Sequence, residues 1–250
     1  MIDLRLVEHL RASRRILVFT GAGVSTASGI PDFRGPDGVW RRRRPVPYDE
    51  FLTSEAARVE YWDFKVESWE ILRRARPNTV HQAIVALEGA GKIVAVVTQN
   101  VDGLHRLAGT SPDLLVELHG TDRLVRCLRC DDTSDPSRHI EVFKATRCPP
   151  RCACGGPLKP ATISFGQSLR PTDLDRAAAA AAETDLVLAL GSTLSVHPAA
   201  SIPLLAADRG SPYIIVNEGA TDHDDQPSVT LRLHGDVTAI VPQAVEAALE

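Results

Sequence analysis

Four short apolar runs divide the chain into an alternation of strand-like and helix-like segments. The runs are rich in aliphatic residues, and they lie at 16–20 (ILVFT), 93–98 (IVAVVT), 185–191 (DLVLALG) and 213–217 (YIIVN). Between them, apolar residues recur at helical spacing at 79–91, 171–185 and 198–210. Strands that alternate with helices predict a parallel sheet covered on both faces, which also explains why the runs are apolar throughout. The pattern therefore predicts an α/β fold.

Two segments interrupt this alternation and predict a second, smaller domain. Residues 35–77 combine a basic, proline-rich run with an aromatic helical stretch, and residues 121–159 hold all five cysteines. We expect the main domain to comprise 1–34, 78–120 and 160–250, with a helical module at 35–77 and a cysteine-bearing module at 121–159. A chain of 250 residues is long enough for one large domain with such a companion.

Polar loops of small residues follow all four predicted strands. They read TGAGVSTASG (20–29), TQNVDGLH (98–105), GSTLS (191–195) and NEG (217–219). In open α/β sheets, ligands bind at the carboxyl ends of the strands. One such loop is an ordinary turn, but four on the same edge of a sheet predict a ligand-binding cleft.

The first of these loops begins like a dinucleotide-binding loop without completing that pattern. Gly21 and Gly23 follow a strand and would allow the backbone to approach a pyrophosphate. Thr26 stands where the third glycine of G-x-G-x-x-G is expected, and basic residues lie where an acidic ribose ligand would follow. By itself the loop indicates only a phosphate-containing cofactor.

The cysteine spacing predicts a structural zinc site. Cys127 and Cys130 are separated by two residues and Cys152 and Cys154 by one, while Cys148 lies nearby. Four thiolates at such spacing suit tetrahedral Zn²⁺. We expect Cys127, Cys130, Cys152 and Cys154 as ligands. Cys148 is the alternative to Cys152 and is otherwise a free thiol.

Charge and hydropathy exclude some classes of protein. The formal net charge is −4, so no overall positive field favours a nucleic-acid partner. No apolar stretch approaches the roughly 20 residues that span a bilayer, and the first 13 residues have the pattern of an amphipathic helix rather than of a signal peptide. We therefore expect a cytoplasmic protein without membrane contact, with a monomer as the default.

Three motifs and the paired cysteines carry a family resemblance. GAGVSTASGIPDFRG (21–35), TQNVDGLH (98–105) and ELHG (117–120) occur in this order ahead of the cysteines. From Ile16 to about Val237 the chain resembles the sirtuins, the NAD-dependent protein deacylases. The resemblance implies a Rossmann-like parallel-sheet domain with a smaller zinc-binding and helical domain inserted. It also implies NAD as a consumed co-substrate and one structural Zn²⁺ per chain.

The resemblance implies a reaction and the residues that carry it. In sirtuins the acyl-lysine carbonyl oxygen displaces nicotinamide from NAD, and a histidine then acts as general base on a ribose hydroxyl. The products are free lysine and O-acyl-ADP-ribose. The histidine matches His119, whose imidazole can be neutral near pH 7, and Asn100 and Asp102 match the nicotinamide and ribose region. The implied NAD contacts are Gly21, Ala22, Gly23, Ser25, Asp32, Phe33, Arg34, Gln99, Asn100, Asp102, Gly191, Ser192, Asn217, Glu218 and Val237.

The resemblance further implies how an acylated protein binds. The peptide is expected to add as a strand beside TISFGQ (162–167), with contacts from Ile163, Ser164, Phe165 and Gly166. The family commonly has Glu where Gln167 stands, so a preference for basic flanking residues does not carry over. Tyr61 is followed three residues later by Phe64 rather than by the arginine of sirtuins that prefer acidic acyl groups. This difference implies a neutral acyl group, with acetyl as the default.

Two other activities remain open beside deacetylation of protein lysines. Some sirtuins pass ADP-ribose to a protein side chain, and others remove neutral acyl groups other than acetyl. A catalytically idle NAD-binding module is a third possibility, but the intact His119, Asn100 and Asp102 argue against it.

Overall fold

The computed structural model describes residues 2–33, 35, 38–39 and 42–250. The α-helices of the described chain are α1 (Leu4–Ala12), α2 (Tyr48–Thr53), α3 (Glu55–Arg74), α4 (Thr79–Gly89), α5 (Leu104–Ala108), α6 (Pro136–Thr146), α7 (Pro171–Glu183), α8 (Ser201–Ala207) and α9 (Val237–Leu249). The strands are β1 (Ile16–Thr20), β2 (Ile93–Thr98), β3 (Leu115–Glu117), β4 (Gly120–Cys127), β5 (Thr133–Ser134), β6 (Leu158–Thr162), β7 (Leu186–Leu190), β8 (Tyr213–Asn217) and β9 (Leu231–His234). None of the described helices is both long enough and apolar enough to cross a lipid bilayer.

Six strands form a parallel sheet in the order β3-β2-β1-β7-β8-β9. The four predicted strands are confirmed as β1, β2, β7 and β8. The two edge strands, β3 and β9, were not predicted, because three and four residues are too short to form an apolar run that stands out. The chain places β2 on one side of β1 and β7 on the other, so the order in which strands are added reverses between β1 and β7. The crevice at such a reversal is where ligands bind in open α/β sheets.

Alternate residues of the central strands face two separate apolar layers. On one face, Ile16 and Val18 of β1 belong to a buried cluster with residues of α1, α4 and α9. On the other face, Leu17 and Phe19 belong to a cluster with residues of α7 and α8. Both faces are therefore covered by helices, as the uninterrupted apolar strands predict.

The two interrupting segments pack on each other around a small antiparallel sheet. Strands β5, β4 and β6 form this sheet, and its core combines Trp62 and Trp69 of α3 with Phe143 of α6 and Leu158 of β6. The indole N–H of Trp62 donates a hydrogen bond of 3.2 Å to the carbonyl oxygen of Leu158. Strand β6 spans Leu158–Thr162, so this sheet crosses the boundary that we expected between residues 159 and 160.

Candidate active site

Two glycine-bearing loops, one after β1 and one after β7, are in close contact at the point where the strand order reverses. A Cβ added to Gly21 would lie 2.7 Å from the carbonyl oxygen of Gly191, and one on Gly23 would lie 2.8 Å from the Gly191 Cα. Gly191 itself has a φ of +60°, and its Cβ would lie 2.5 Å from the backbone nitrogen of Val24. These positions exclude any side chain, so the loop after β1 packs with its backbone directly against the loop after β7.

A buried polar cluster connects the glycine-rich loop to the loop after β2. The side-chain amide of Asn100 donates to the carbonyl oxygen of Gly21 (3.0 Å) and to Ser25 Oγ (3.2 Å). Ser25 Oγ donates in turn to Asp102 Oδ2 (2.7 Å), and the Leu104 N–H donates to Asp102 Oδ1 (2.7 Å). Burial raises the pKa of the Asp102 carboxyl above its usual value, and these two hydrogen bonds oppose the shift. These hydrogen bonds hold the side chains of Asn100 and Asp102 in fixed orientations.

His119 lies in the turn between the short edge strand β3 and strand β4, and it lines the same cavity. Its Nδ1 is 2.9 Å from the carbonyl oxygen of Gln99. Because a carbonyl oxygen can only accept, Nδ1 carries the proton of the neutral ring and Nε2 carries the lone pair. The backbone of the loop after β2 thus fixes the tautomer that a general base at Nε2 requires.

The described residues that were predicted to act in catalysis or to bind NAD or the peptide all line one cavity of about 1350 Å³. They lie at the ends of strands, in the loops that follow them and at the start of α9, and they are Gly21, Ala22, Gly23, Ser25, Asp32, Phe33, Gln99, Asn100, Asp102, His119, Ile163, Ser164, Phe165, Gly166, Gly191, Ser192, Asn217, Glu218 and Val237. Arg34 lies outside the described residues. The cavity is large enough for a dinucleotide together with a side chain of a second molecule.

An arginine that was not predicted from the sequence holds one of the loops that line the cavity. Arg232 of β9 donates from Nε to Asp224 (2.7 Å) and from its terminal nitrogens to the carbonyl oxygens of Asn217 (2.9 Å) and Gly219 (2.6 Å). These bonds hold the loop after β8 that carries Glu218. No motif marked Arg232, because its function follows from the pairing of β9 with β8 and not from its place in the sequence.

The segment after β6 forms the wall of the cavity that faces His119. The Ile163 N–H donates to the carbonyl oxygen of His119 (2.8 Å), and the Tyr48 N–H donates to the carbonyl oxygen of Phe165 (2.9 Å). The side-chain oxygen of Gln167 accepts from the Ser164 N–H (3.1 Å). Gln167 therefore supplies the same hydrogen-bond acceptor as a glutamate at this position, but without the negative charge of a carboxylate.

Helix α3 contributes a second wall with a partly buried ion pair. The ammonium group of Lys65 lies 2.7 and 2.9 Å from the two carboxylate oxygens of Asp122.

Tyr61 lies one turn before Lys65, and its hydroxyl group is 3.0 Å from Thr162 Oγ1. Although burial opposes ionisation of this phenol, the ammonium groups of Lys159 and Lys65 lower the pKa of Tyr61. Trp62 and Trp69 belong to the small core, whereas Tyr61 and Phe64 line the cavity.

Four cysteines in the small domain have the geometry of a tetrahedral metal site. The sulfur atoms of Cys127, Cys130, Cys152 and Cys154 lie within 4.8 Å of one another, with 3.5 Å between Cys127 and Cys154 and 3.8 Å between Cys130 and Cys152. Zn–S bonds of about 2.3 Å place sulfur atoms about 3.8 Å apart. The cluster therefore fits one Zn²⁺ ion, and it contains Cys152 rather than Cys148.

Comparison with known proteins agrees with this geometry. The Sir2 family model matches residues 21–198. An NAD-dependent protein deacetylase of Rhodopseudomonas palustris is 42% identical over 229 residues, which cover 91% of this chain and 90% of that protein. NAD-dependent protein deacetylase 1 of Bradyrhizobium diazoefficiens is 40% identical over 228 residues, with the same coverage.

Solved structures of Sir2 proteins share the whole fold. A Sir2 variant with a deacetylated p53 peptide and 3′-O-acetyl ADP ribose has a TM-score of 0.90 and 33% identity, and the match covers 98% of this chain and 97% of that one. A Sir2 complex with a p53 peptide and NAD⁺ has a TM-score of 0.87 and 34% identity, with 98% of both chains covered. The resemblance drawn from the motifs is thus confirmed, and this chain belongs to the Sir2 family.

Proposed function

We propose that this chain is an NAD-dependent protein-lysine deacetylase. Its products are nicotinamide, O-acetyl-ADP-ribose and the deacetylated lysine. The observation that carries the proposal is the orientation of His119, whose Nδ1–H is held by the Gln99 carbonyl oxygen while the ring lines the cavity beside Asn100 and Asp102. Relatives at about 40% identity are NAD-dependent protein deacetylases, which supports the same reaction.

His119 accepts a proton at Nε2 in this proposal. A neutral imidazole whose lone pair lies on Nε2 is poised to accept this proton. The Gln99 carbonyl oxygen stabilises the resulting imidazolium, because it already accepts the Nδ1–H. No movement of the ring is needed, so the base is preorganised.

NAD supplies an electrophilic ribose carbon and nicotinamide as its leaving group. The chain's own contribution is to bind and orient this co-substrate. The backbone at Gly21 and Gly23, which carries no side chains, suits close approach of the diphosphate, and the loop held by Arg232 suits the adenosine end. Asn100 and Asp102 suit the nicotinamide carboxamide and the ribose hydroxyls. Phe33 lines the cavity and would exclude water from the reacting carbon.

A neutral acyl group is the substrate that the α3 wall favours. Lys65 is engaged by Asp122 through both carboxylate oxygens, so this wall presents a balanced pair rather than an uncompensated cation. Phe64 adds an apolar surface beside the pair. We therefore infer that acetyl-lysine is preferred to lysine bearing a carboxylated acyl chain.

The acetylated protein is proposed to bind as an extended strand along 163–166. We further propose that the enzyme acts in the cytoplasm as a monomer, without nucleic-acid or membrane partners, and that 35–77 and 121–159 act as one small domain. Light scattering on the purified protein should then give a mass near 27.1 kDa. A mass twice as large would contradict the monomer.

One incubation tests the reaction. The protein is mixed with NAD and an acetyl-lysine peptide, and the products are analysed by mass spectrometry. We expect deacetylated peptide and O-acetyl-ADP-ribose from the wild type and neither from His119→Ala, because general-base catalysis contributes about 10²- to 10⁴-fold. His139→Ala, in α6, is the matched control and should retain activity. An added ADP-ribose on protein without deacetylation would instead support the transferase alternative.

A further inference from the structure

Two buried histidines behind the candidate active site each have one nitrogen without a partner. His81 of α4 and His105 of α5 are 0% and 2% exposed, and their ring centroids lie 4.9 Å apart. Among the described residues, His81 Nε2 and His105 Nδ1 are two of three buried side-chain atoms that lack a hydrogen-bond partner. An unsatisfied buried polar atom costs about 1–3 kcal/mol, so a pair of them in neighbouring rings calls for an explanation.

The other nitrogen of His105 begins a chain of hydrogen bonds that reaches the candidate active site. His105 Nε2 lies 2.9 Å from Thr20 Oγ1, at the end of β1. Thr20 Oγ1 lies 2.8 Å from Thr98 Oγ1, at the end of β2. Thr98 Oγ1 accepts from the backbone N–H of Asn100 at 3.0 Å. All of these residues are at least nine-tenths buried, so water does not compete for the chain.

The other nitrogen of His81 connects to the glycine-rich loop. His81 Nδ1 lies 3.3 Å from the backbone nitrogen of Asn78 and 3.1 Å from Asn78 Oδ1. The side-chain amide of Asn78 donates to the Val24 carbonyl oxygen (2.8 Å) and to Ser28 Oγ (2.9 Å). The pair thus stands between the loop that contains Val24 and the loop that contains Asn100.

Both rings are neutral in the folded protein near pH 7. Burial lowers the pKa of His81 to about 4, and burial together with His81 lowers the pKa of His105 to about 3. A neutral imidazole has one N–H and one lone pair. Each ring therefore offers one nitrogen of each kind.

Resting on the proposed function, we propose that His81 and His105 are positioning residues that share one hydrogen between His81 Nε2 and His105 Nδ1. This N–H···N hydrogen bond closes the chain from Asn78 to Asn100 and holds the Asn100 loop against the glycine-rich loop. Rings with centroids 4.9 Å apart allow a hydrogen bond of about 3 Å once their edges face each other. Neither ring needs to touch NAD or peptide.

The hydrogen bonds at the two ends of the chain fix its direction. The Asn78 N–H donates to His81 Nδ1, so His81 carries its hydrogen on Nε2 and donates to His105 Nδ1. The Thr20 hydroxyl donates to Thr98 Oγ1, so it can only accept from His105 Nε2. The rule is therefore that both rings carry hydrogen on Nε2. A mixed arrangement places two hydrogens or two lone pairs between the rings.

Nitrogen NMR on the wild-type protein tests this rule without an activity measurement. We expect ¹⁵N-labelled protein at pH 7 to show His81 and His105 in the same tautomer, with a slowly exchanging ring N–H and a ¹⁵N–¹⁵N coupling between them. Opposite tautomers, or rings that exchange rapidly between tautomers, would overturn the pairing. This outcome does not depend on whether the protein is a deacetylase.

A double-mutant cycle tests the consequence for catalysis. His81→Phe and His105→Phe keep an aromatic ring but remove its nitrogens. Each should lower kcat by about ten-fold, while KM for NAD, which the diphosphate and adenosine contacts dominate, changes by less than about three-fold. Because the rings act as one unit, the double variant should lose no more than either single variant. His9→Phe, in α1, is the control.

Three results separate the possible failures. Losses that multiply in the double variant would contradict a shared hydrogen bond and indicate independent packing roles. A normal kcat in both single variants would overturn the positioning function even if the tautomers match. If the wild type shows no deacetylation at all, the proposed function fails, while the tautomer measurement still decides the pairing.

Discussion

The two sheets of this protein are held together by different physical means. The parallel sheet lies between two apolar layers that contain 24 and 19 buried residues of the described chain, whereas the small sheet shares a core of seven. Burial of apolar surface is the main source of folding free energy, so the large domain can be stable by itself. The small core is too limited for that, and it includes Cys127 of the four-cysteine cluster. The comparison teaches that metal ligands can supply the stability that so small a core lacks.

The largest effect is expected when the metal is removed. Binding of structural zinc contributes on the order of 10 kcal/mol, so Cys127→Ala should unfold the small domain and abolish activity. Far-ultraviolet circular dichroism should retain the signal of the parallel sheet and its helices, while the near-ultraviolet signal of Trp62 and Trp69 is lost. Cys148→Ala is the matched control and should bind about one zinc per chain. Full zinc content in Cys127→Ala would contradict the ligand assignment.

A smaller effect is expected from a cavity in the large core. Leu188 is fully buried in the central strand β7, so Leu188→Ala should lower the free energy of unfolding by about 2–5 kcal/mol. Urea denaturation measures this loss, and zinc content should stay unchanged because the two cores are separate. Leu52→Ala, at a position that is 46% exposed, should change stability by about 0.5 kcal/mol or less. Equal losses in the two variants would show that the core does not control stability.

Acid should weaken the large domain through its buried histidines. The pKa values of His81 and His105 are lower in the folded state, about 4 and 3, than the usual 6.5, so the unfolded chain binds more protons below pH 6.5. The stability that the neutral rings contribute is complete above about pH 6.5. As the pH falls from 6.5 towards the pKa of each ring, the free energy of unfolding decreases by about 1.4 kcal/mol per pH unit for that ring.

Denaturation at several pH values checks this linkage. The double variant His81→Phe/His105→Phe should show a shallower loss of stability between pH 6.5 and 5 than the wild type. Parallel curves for the two proteins would mean that other groups cause the acid sensitivity. His9→Phe, in α1, should leave the slope close to that of the wild type.

The smallest effect is expected at the boundary between the two domains. Gln167→Glu keeps the acceptor for the Ser164 N–H and adds a negative charge beside the peptide segment. An exposed charge pair is worth about 0.2–1 kcal/mol, so kcat/KM for peptides with basic flanks should rise by about five-fold or less. The gain should disappear at high salt and be absent for neutral peptides. An equal gain for both peptides would indicate a cause other than charge.

The long buried strands and the cysteine pairs were predictable because their signals are local. Strands β1, β2, β7 and β8 bury both faces, so continuous apolar runs marked them. The edge strands β3 and β9 form only against a neighbour that supplies their hydrogen bonds, and nothing in their own composition marked them. The functions of Arg232 and of the Lys65–Asp122 pair escaped for the same reason, because each depends on contacts between distant segments.

The sequence by itself determined the fold class, the family and the residues that could form the site, because these follow from apolar periodicity and from long motifs of fixed spacing. Only the tertiary structure decided which cysteine sulfurs lie together, which tautomer the Gln99 carbonyl oxygen imposes on His119, and that His81 lies beside His105. A hydrogen bond between groups far apart in the chain forms or is lost when their separation changes by a few tenths of an ångström. Such distances are set by the packing of whole elements and cannot be read from the order of residues.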